Sequence, residues 1–156
     1  MAFASSPTAL SVTALHSLAS TAFWKSAAIT FASNLSSVIF QVKLSTANTG
    51  AGSGSGYFGV YLAGSNDNSV FDGTVTAGDA TWTTTAPPTA VSALGLQMLG
   101  RVPLNTTATT TVVLTRSFFL PPFYIPKYGV VVIENAGGKP LLDSGNSVTY
   151  LENTQA

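Results

Sequence analysis

Ser117-Phe-Phe-Leu-Pro-Pro-Phe-Tyr-Ile-Pro-Lys-Tyr-Gly-Val-Val-Val-Ile-Glu-Asn-Ala-Gly-Gly-Lys-Pro-Leu141 is the stretch whose reading decides the fold. It joins an aromatic, proline-punctuated corner to the most hydrophobic run of the chain, and then to a glycine turn. Pro121, Pro122 and Pro126 fix φ and withhold backbone donors, which keeps the corner out of helices and central strands. The run Val130-Val-Val-Ile133 that follows is β-branched throughout and fits a strand buried on both faces. A chain that gathers its bulkiest residues around such a strand builds a β core.

Outward from this stretch, Ser37 to Thr46 carries the clearest alternation. Val38, Phe40, Val42 and Leu44 fall on one face, and Ser37, Gln41 and Lys43 share the other with Ile39. The glycine- and serine-rich run Ala47 to Gly56 reads as a flexible loop, and Tyr57 to Ala63 returns as a strand. Residues 37–63 are therefore expected to form a long-looped hairpin. Further strands are predicted at Ala27–Phe31, Ser69–Phe71, Thr74–Thr76, Ala80–Thr84, Val91–Leu99, Thr109–Ser117 and Ser147–Leu151, with Gly95 at a bulge or close contact. Gly64 to Asn68, Asp72-Gly73, Pro87-Pro88, Asn135 to Gly138 and Asp143 to Asn146 supply the turns. Short strands at this spacing predict an all-β fold, an antiparallel β-sandwich of jelly-roll type. The domain, residues 23–156, opens at Phe23-Trp24. Residues 1–22 are Ala/Ser/Thr-rich around Leu10, Leu15 and Leu18, and read as a short N-terminal arm or loosely packed extension.

Composition narrows the function. Only 8% of the 156 residues are charged, and six basic residues balance six acidic ones. That leaves no electrostatic footprint for nucleic acid or an anionic membrane. Phe118 to Ile133, the longest apolar stretch, is interrupted by prolines and Lys127 and is not expected to span a membrane. The first residues lack the basic and apolar regions of a signal peptide. With no cysteine, disulfides, thiolate metal sites and a Cys nucleophile are excluded. A surface this neutral is weakly protected against association, which points to a protein whose natural state is an assembly.

Catalytic chemistry is hard to place. His16 is the single histidine, and no carboxylate lies near it in sequence to orient it. Asp67, Asp72 and Asp79 neighbour Gly or Asn, Asp143 opens the run Asp-Ser-Gly-Asn146, and all four read as turn residues. Gly52 to Gly56 lacks the Lys-Ser/Thr ending of a phosphate loop. Asn66, Asp67, Asn68 and Asp72 offer oxygen ligands of the kind calcium takes, without EF-hand spacing, and a plain turn explains them equally well. Trp24, Tyr57, Tyr61, Trp82, Phe123, Tyr124 and Tyr128 are available for a carbohydrate platform or for the core. The expectation is a protein without enzymatic activity, cofactor or metal.

Several segments together resemble small tailed-bacteriophage virion proteins. They are Leu15-x-x-Leu18-Ala-Ser with Trp24-Lys-Ser26, Val60-Tyr-Leu-x-Gly-Ser65-Asn-Asp67, and Leu120-Pro-Pro-x-x-x-Pro126-x-Tyr-x-Val-Val-Val-Ile-x-Asn135 with Ser144-Gly-Asn-Ser-Val148. Asn68 departs from the pattern, where a glycine after the aspartate is more usual. The resemblance implies a β-sandwich or jelly-roll subunit of the virion, on the head exterior or in the tail, without enzymatic activity. The expected role is a capsid decoration (cement) protein. Its partners would be the major capsid protein and copies of itself, as trimers, on the capsid exterior. Leu15 and Leu18 on the arm, with Phe123 and Tyr124 at the corner, are the candidate contacts. Deletion of residues 2–20 is expected to leave the domain folded. The alternative is a tail- or fibre-associated subunit or a glycan-binding module.

Overall fold

A computed structural model describes residues 6–47, 56–82, 95–104 and 111–154. The predicted strand segments at 83–84, 91–94 and 109–110, the Pro87-Pro88 break and most of the loop after Ala47 lie outside these residues. The strands are β1 (Thr8–Ala9), β2 (Phe23–Lys25), β3 (Ile29–Thr30), β4 (Leu35–Ala47), β5 (Tyr57–Ser65), β6 (Ala80–Trp82), β7 (Gln97–Pro103), β8 (Thr111–Leu120), β9 (Tyr128–Ala136) and β10 (Ser147–Thr154).

Two antiparallel sheets pack face to face, in the orders β1-β10-β4-β8 and β6-β2-β9-β5-β7, with β3 extending β2 along β9. The pairs β1·β10, β2·β9, β4·β8 and β5·β7 nest one inside the next, as when one long hairpin is wound around a core. This is jelly-roll order, with β6 added at one edge. Residues 37–63 are accordingly not a hairpin. β4 and β5 belong to opposite sheets and face each other across the core. Alternation marks which residues face inward, and it is silent about which sheet a strand joins.

The core follows the predicted faces. Val38, Phe40, Val42 and Leu44 of β4 meet Phe58, Val60 and Leu62 of β5, with Val131 and Ile133 of β9 and Trp24 of β2. Burying each such side chain contributes about 1.5–3 kcal/mol. β9 sits in the middle of its sheet and is buried on both faces, as Val130-Val-Val-Ile133 predicts. Its outer face needs a cover, and residues 66–79 provide it. Phe71 and Val75 pack on Tyr61, Ala63, Val130 and Val132 in a second, smaller core. The predicted strands at 69–71 and 74–76 are therefore replaced by bends and a 3-10 turn at Asp72–Thr74, where Gly73 takes φ +67°. Phe71 and Val75 act as two separate plugs, with no ladder between them.

Three smaller differences have local causes. The predicted Ala27–Phe31 strand shrinks to Ile29–Thr30, because the Ser26 hydroxyl accepts the Val131 N–H at 3.0 Å and interrupts the ladder. The bulge expected at Gly95 falls inside β7, where Tyr61 pairs with Met98 and Val60 with Gly100, leaving Leu99 without a partner. Gly100 is required there, since a Cβ would lie 2.7 Å from the Phe118 ring. The proline corner holds one 3-10 turn, Pro122–Tyr124, a place where a first-turn proline loses no hydrogen bond.

The N-terminal segment is the largest correction. Residues 8–22 are part of the sandwich and not a loose arm. β1 adds a strand beside β10, and a 3-10 turn at Thr13–Leu15 then drives Leu15 and Leu18 between the sheets, at 0% and 2% exposure. The open side of the sandwich between β10 and β2 needs apolar plugs, and these leucines supply them.

Candidate functional site

The polar side chains divide into locks and surface. Asp79 is the strongest lock. Its carboxylate accepts Ser11 Oγ at 2.6 Å, Thr13 N–H at 2.8 Å, Ala14 N–H at 3.1 Å and Trp24 Nε1–H at 2.8 Å. One side chain thereby ties the N-terminal turn to the central tryptophan. Partial burial pushes this carboxyl up, and the hydrogen bonds from Ser11, Trp24, Ala14 and Thr13 outweigh it, so it sits below the ordinary carboxylate value. A depressed carboxyl stabilises the fold fully above the unfolded-state value of 3.8, and the contribution fades as pH falls through the folded value. Asp79→Ala is expected to lose about 1–2 kcal/mol at neutral pH, after allowance for solvent screening. Urea unfolding of both proteins across pH 7 to 3 checks this, since the gap between them should shrink as the pH drops below the ordinary carboxylate value.

Asp67 is a turn residue. Its Oδ1 accepts the Ser69 N–H at 2.9 Å, the Val70 N–H at 3.1 Å and the Ser65 hydroxyl at 3.0 Å, and these bonds hold its carboxyl well below the usual range. Asp72 accepts the Gly64 N–H at 3.1 Å. A polar cavity of about 380 Å³ is lined by Ser65, Asn66, Asp67 and Asp72, while Asn68 is turned out of it at φ +63°. Among the described residues no group of three or more His, Asp and Glu side chains converges as a metal would need. The Asp67 and Asp72 oxygens are taken up by the turn they close.

His16 is half-buried, and its Nδ1 lies 3.0 Å from the Asn146 amide nitrogen. That amide also donates to the Leu142 carbonyl at 2.8 Å, while its oxygen accepts the Ser45 N–H at 2.8 Å. His16 thus helps fasten a loop. Glu134 accepts the Tyr61 hydroxyl at 2.8 Å; burial and that contact raise the phenol's pKa. Among the described residues, no buried side-chain nitrogen or oxygen lacks a partner.

The aromatic candidates disperse. Trp24 is enclosed in the core, Phe23 meets Trp82 edge-on at 5.8 Å, and Tyr61 is buried. Tyr57 carries the Arg101 guanidinium at 4.2 Å over its ring, and Lys127 lies over Tyr128 at 5.1 Å. No single platform gathers them.

Of the four candidate contact residues, two stand on the surface. Phe123 is 95% exposed and Tyr124 62%, both on the 3-10 turn that the prolines hold in place. Leu15 and Leu18 are core residues, so neither can meet a partner without opening the sandwich. Beside the corner runs a groove of about 350 Å³ lined by Phe31, Leu35, Pro122, Ile125 and Lys127. Phe119, 64% exposed, was hidden in the sequence within the bulky Phe-Phe-Leu run. Strict alternation was the signal that finds it, since Phe118 and Leu120 point inward. The site that remains is an apolar corner at one end of the sandwich, with Phe119, Phe123 and Tyr124 bare. No protein-family model matches this chain, and no curated protein matches it.

Proposed function

We propose that this chain is a non-enzymatic virion structural protein of a tailed bacteriophage, a capsid decoration protein that strengthens the head by protein–protein contact. The observation that carries this reading is the bare aromatic corner. Phe123 and Tyr124 project from a turn whose φ angles are set by Pro121 and Pro122. Aromatic anchors on a rigid tip lose little conformational freedom on binding, which is what a contact hot spot requires. The carboxylates favour the same reading, because Asp67, Asp72, Asp79 and Glu134 are held in contacts that close turns and fasten segments. In this proposal the corner meets the major capsid protein, while copies of the chain cluster as trimers on the capsid exterior. The resemblance to phage virion proteins and the low charge of the surface support it.

The test is co-sedimentation of the purified protein with undecorated capsids. Phe123→Ser with Tyr124→Ser should leave the melting temperature unchanged and weaken capsid binding tenfold or more, the loss of about 1.4 kcal/mol or more expected of a hot spot. Equal occupancy by the folded variant would remove the corner as the contact. Binding of wild-type protein to a glycan array, with none to capsids, would favour the tail or fibre alternative.

A further inference from the structure

We propose that β8 is a pairing edge, and that its partner is β8 of a second copy, antiparallel about a two-fold axis. Among the described residues the two sheets end in four edge strands, β1, β8, β6 and β7. Among the described residues β1 and β6 have two and three residues, short for templating another chain. β7 is broken at Leu99, ends in Pro103, and has its Arg101 carbonyl taken by Arg116 Nη1 at 2.9 Å. These are the devices that blunt an edge.

β8 has none of them. Its ten residues, Thr111–Leu120, contain no proline or glycine, and their register against β4 is unbroken from Val38↔Leu120 to Ala47↔Thr111. Its one charge, Arg116, is turned across to β7. The side chains on its outer face are uncharged, and Val113 and Phe119 are 54% and 64% exposed. Unpaired backbone N–H and C=O groups on such an edge are matched in chemistry by another extended strand.

A copy of β8 fits that requirement. The chain carries no net charge, so two copies approach without repulsion. A two-fold axis perpendicular to the sheet sets outward residues opposite outward residues, so the ladder must be centred on a residue. Two centres keep nine of the ten residues paired, Thr115 and Arg116. Centring on Arg116 opposes two guanidiniums, which is unfavourable. Centring on Thr115 opposes Thr115 to Thr115, Val113 to Ser117, Thr111 to Phe119 and Leu114 to Arg116. Two four-stranded sheets then become one continuous eight-stranded sheet. This contact does not depend on the virion reading; it takes Phe119 into the ladder and leaves Phe123, Tyr124 and the remaining faces free for three-fold clustering.

Sedimentation equilibrium of the full chain tests it. Wild type should show twice the 16.0 kDa chain mass at high micromolar concentration. Thr115→Lys, which sets two ammonium groups face to face at an exposed position, should show the single-chain mass with an unchanged melting temperature. The chain has no cysteine, so Thr115→Cys should cross-link to a dimer on mild oxidation, while Thr149→Cys on β10 should not. A wild-type protein that stays at single-chain mass into the millimolar range would overturn the proposal. So would a dimer that Thr115→Lys leaves intact, or one in which Thr149→Cys cross-links and Thr115→Cys does not.

Discussion

Replacing Leu15 and Leu18 together with alanine is expected to leave the protein largely unfolded at 37 °C. Both side chains lie in the main core, toward the end of the sandwich where one sheet closes with β1 and the other with β6. Truncating a buried leucine removes its transfer free energy and leaves a cavity, which costs about 2–5 kcal/mol each time. The two neighbours are close enough to share one cavity, so the sum is not strictly additive. Even the lower figure, doubled, comes to about 4 kcal/mol, most of the stability of a domain at the low end of the usual range of about 5–15 kcal/mol. Leu10, Val12 and Ala14 pack on the same core, and Asp79 would lose its Ser11, Thr13 and Ala14 donors if the segment left. Deletion of residues 2–20 therefore unfolds the domain, contrary to what an arm would allow. Thermal melting by circular dichroism checks both variants, and a cooperative transition near the wild-type temperature would show that the segment is dispensable.

Asn135→Ala should be nearly as damaging, at about 2–4 kcal/mol, although it removes no apolar surface. Asn135 is fully enclosed at the end of β9. Its amide donates to the Leu18 carbonyl at 3.0 Å and the Lys139 carbonyl at 2.8 Å, and its oxygen accepts the Gly137 N–H at 3.0 Å. Its main chain pairs with Thr21 and Ala22, so one residue joins the N-terminal segment, β9 and the turn before Leu141. Truncation leaves the Gly137 N–H and the Lys139 carbonyl without these partners, each costing about 1–3 kcal/mol less whatever water recovers, and the Leu18 carbonyl keeps only the Leu141 N–H. Asn135→Asp supplies the acceptor but sets a buried carboxylate against the Leu18 and Lys139 carbonyls, and should be at least as destabilised as alanine in urea unfolding at neutral pH.

How much of this was legible in the sequence follows from where the signals are local. Val38, Phe40, Val42 and Leu44 announce their face by alternation, and Val130 to Ile133 announce burial on both faces by β-branching. Both readings match the fold. The N-terminal segment carries no such period. Leu15 and Leu18 are buried by a 3-10 turn in an Ala/Ser/Thr-rich stretch, and the lock that holds them, Asp79, lies 66 residues from Thr13. Nothing local predicts a pairing of that range. Likewise, Phe71 and Val75 cover the outer face of β9 as isolated anchors, which a search for strands misreads. At the candidate site, prolines made Phe123 and Tyr124 visible, whereas Phe119 required the phase of β8 to be known first.

The central claim is that the chain decorates the head of a virion, and one measurement addresses it most directly. Particles carrying the protein with a small electron-dense label should be imaged and averaged. A regular lattice of label over the head is the predicted result. A single spot on the tail axis, or particles that carry no label, would contradict it.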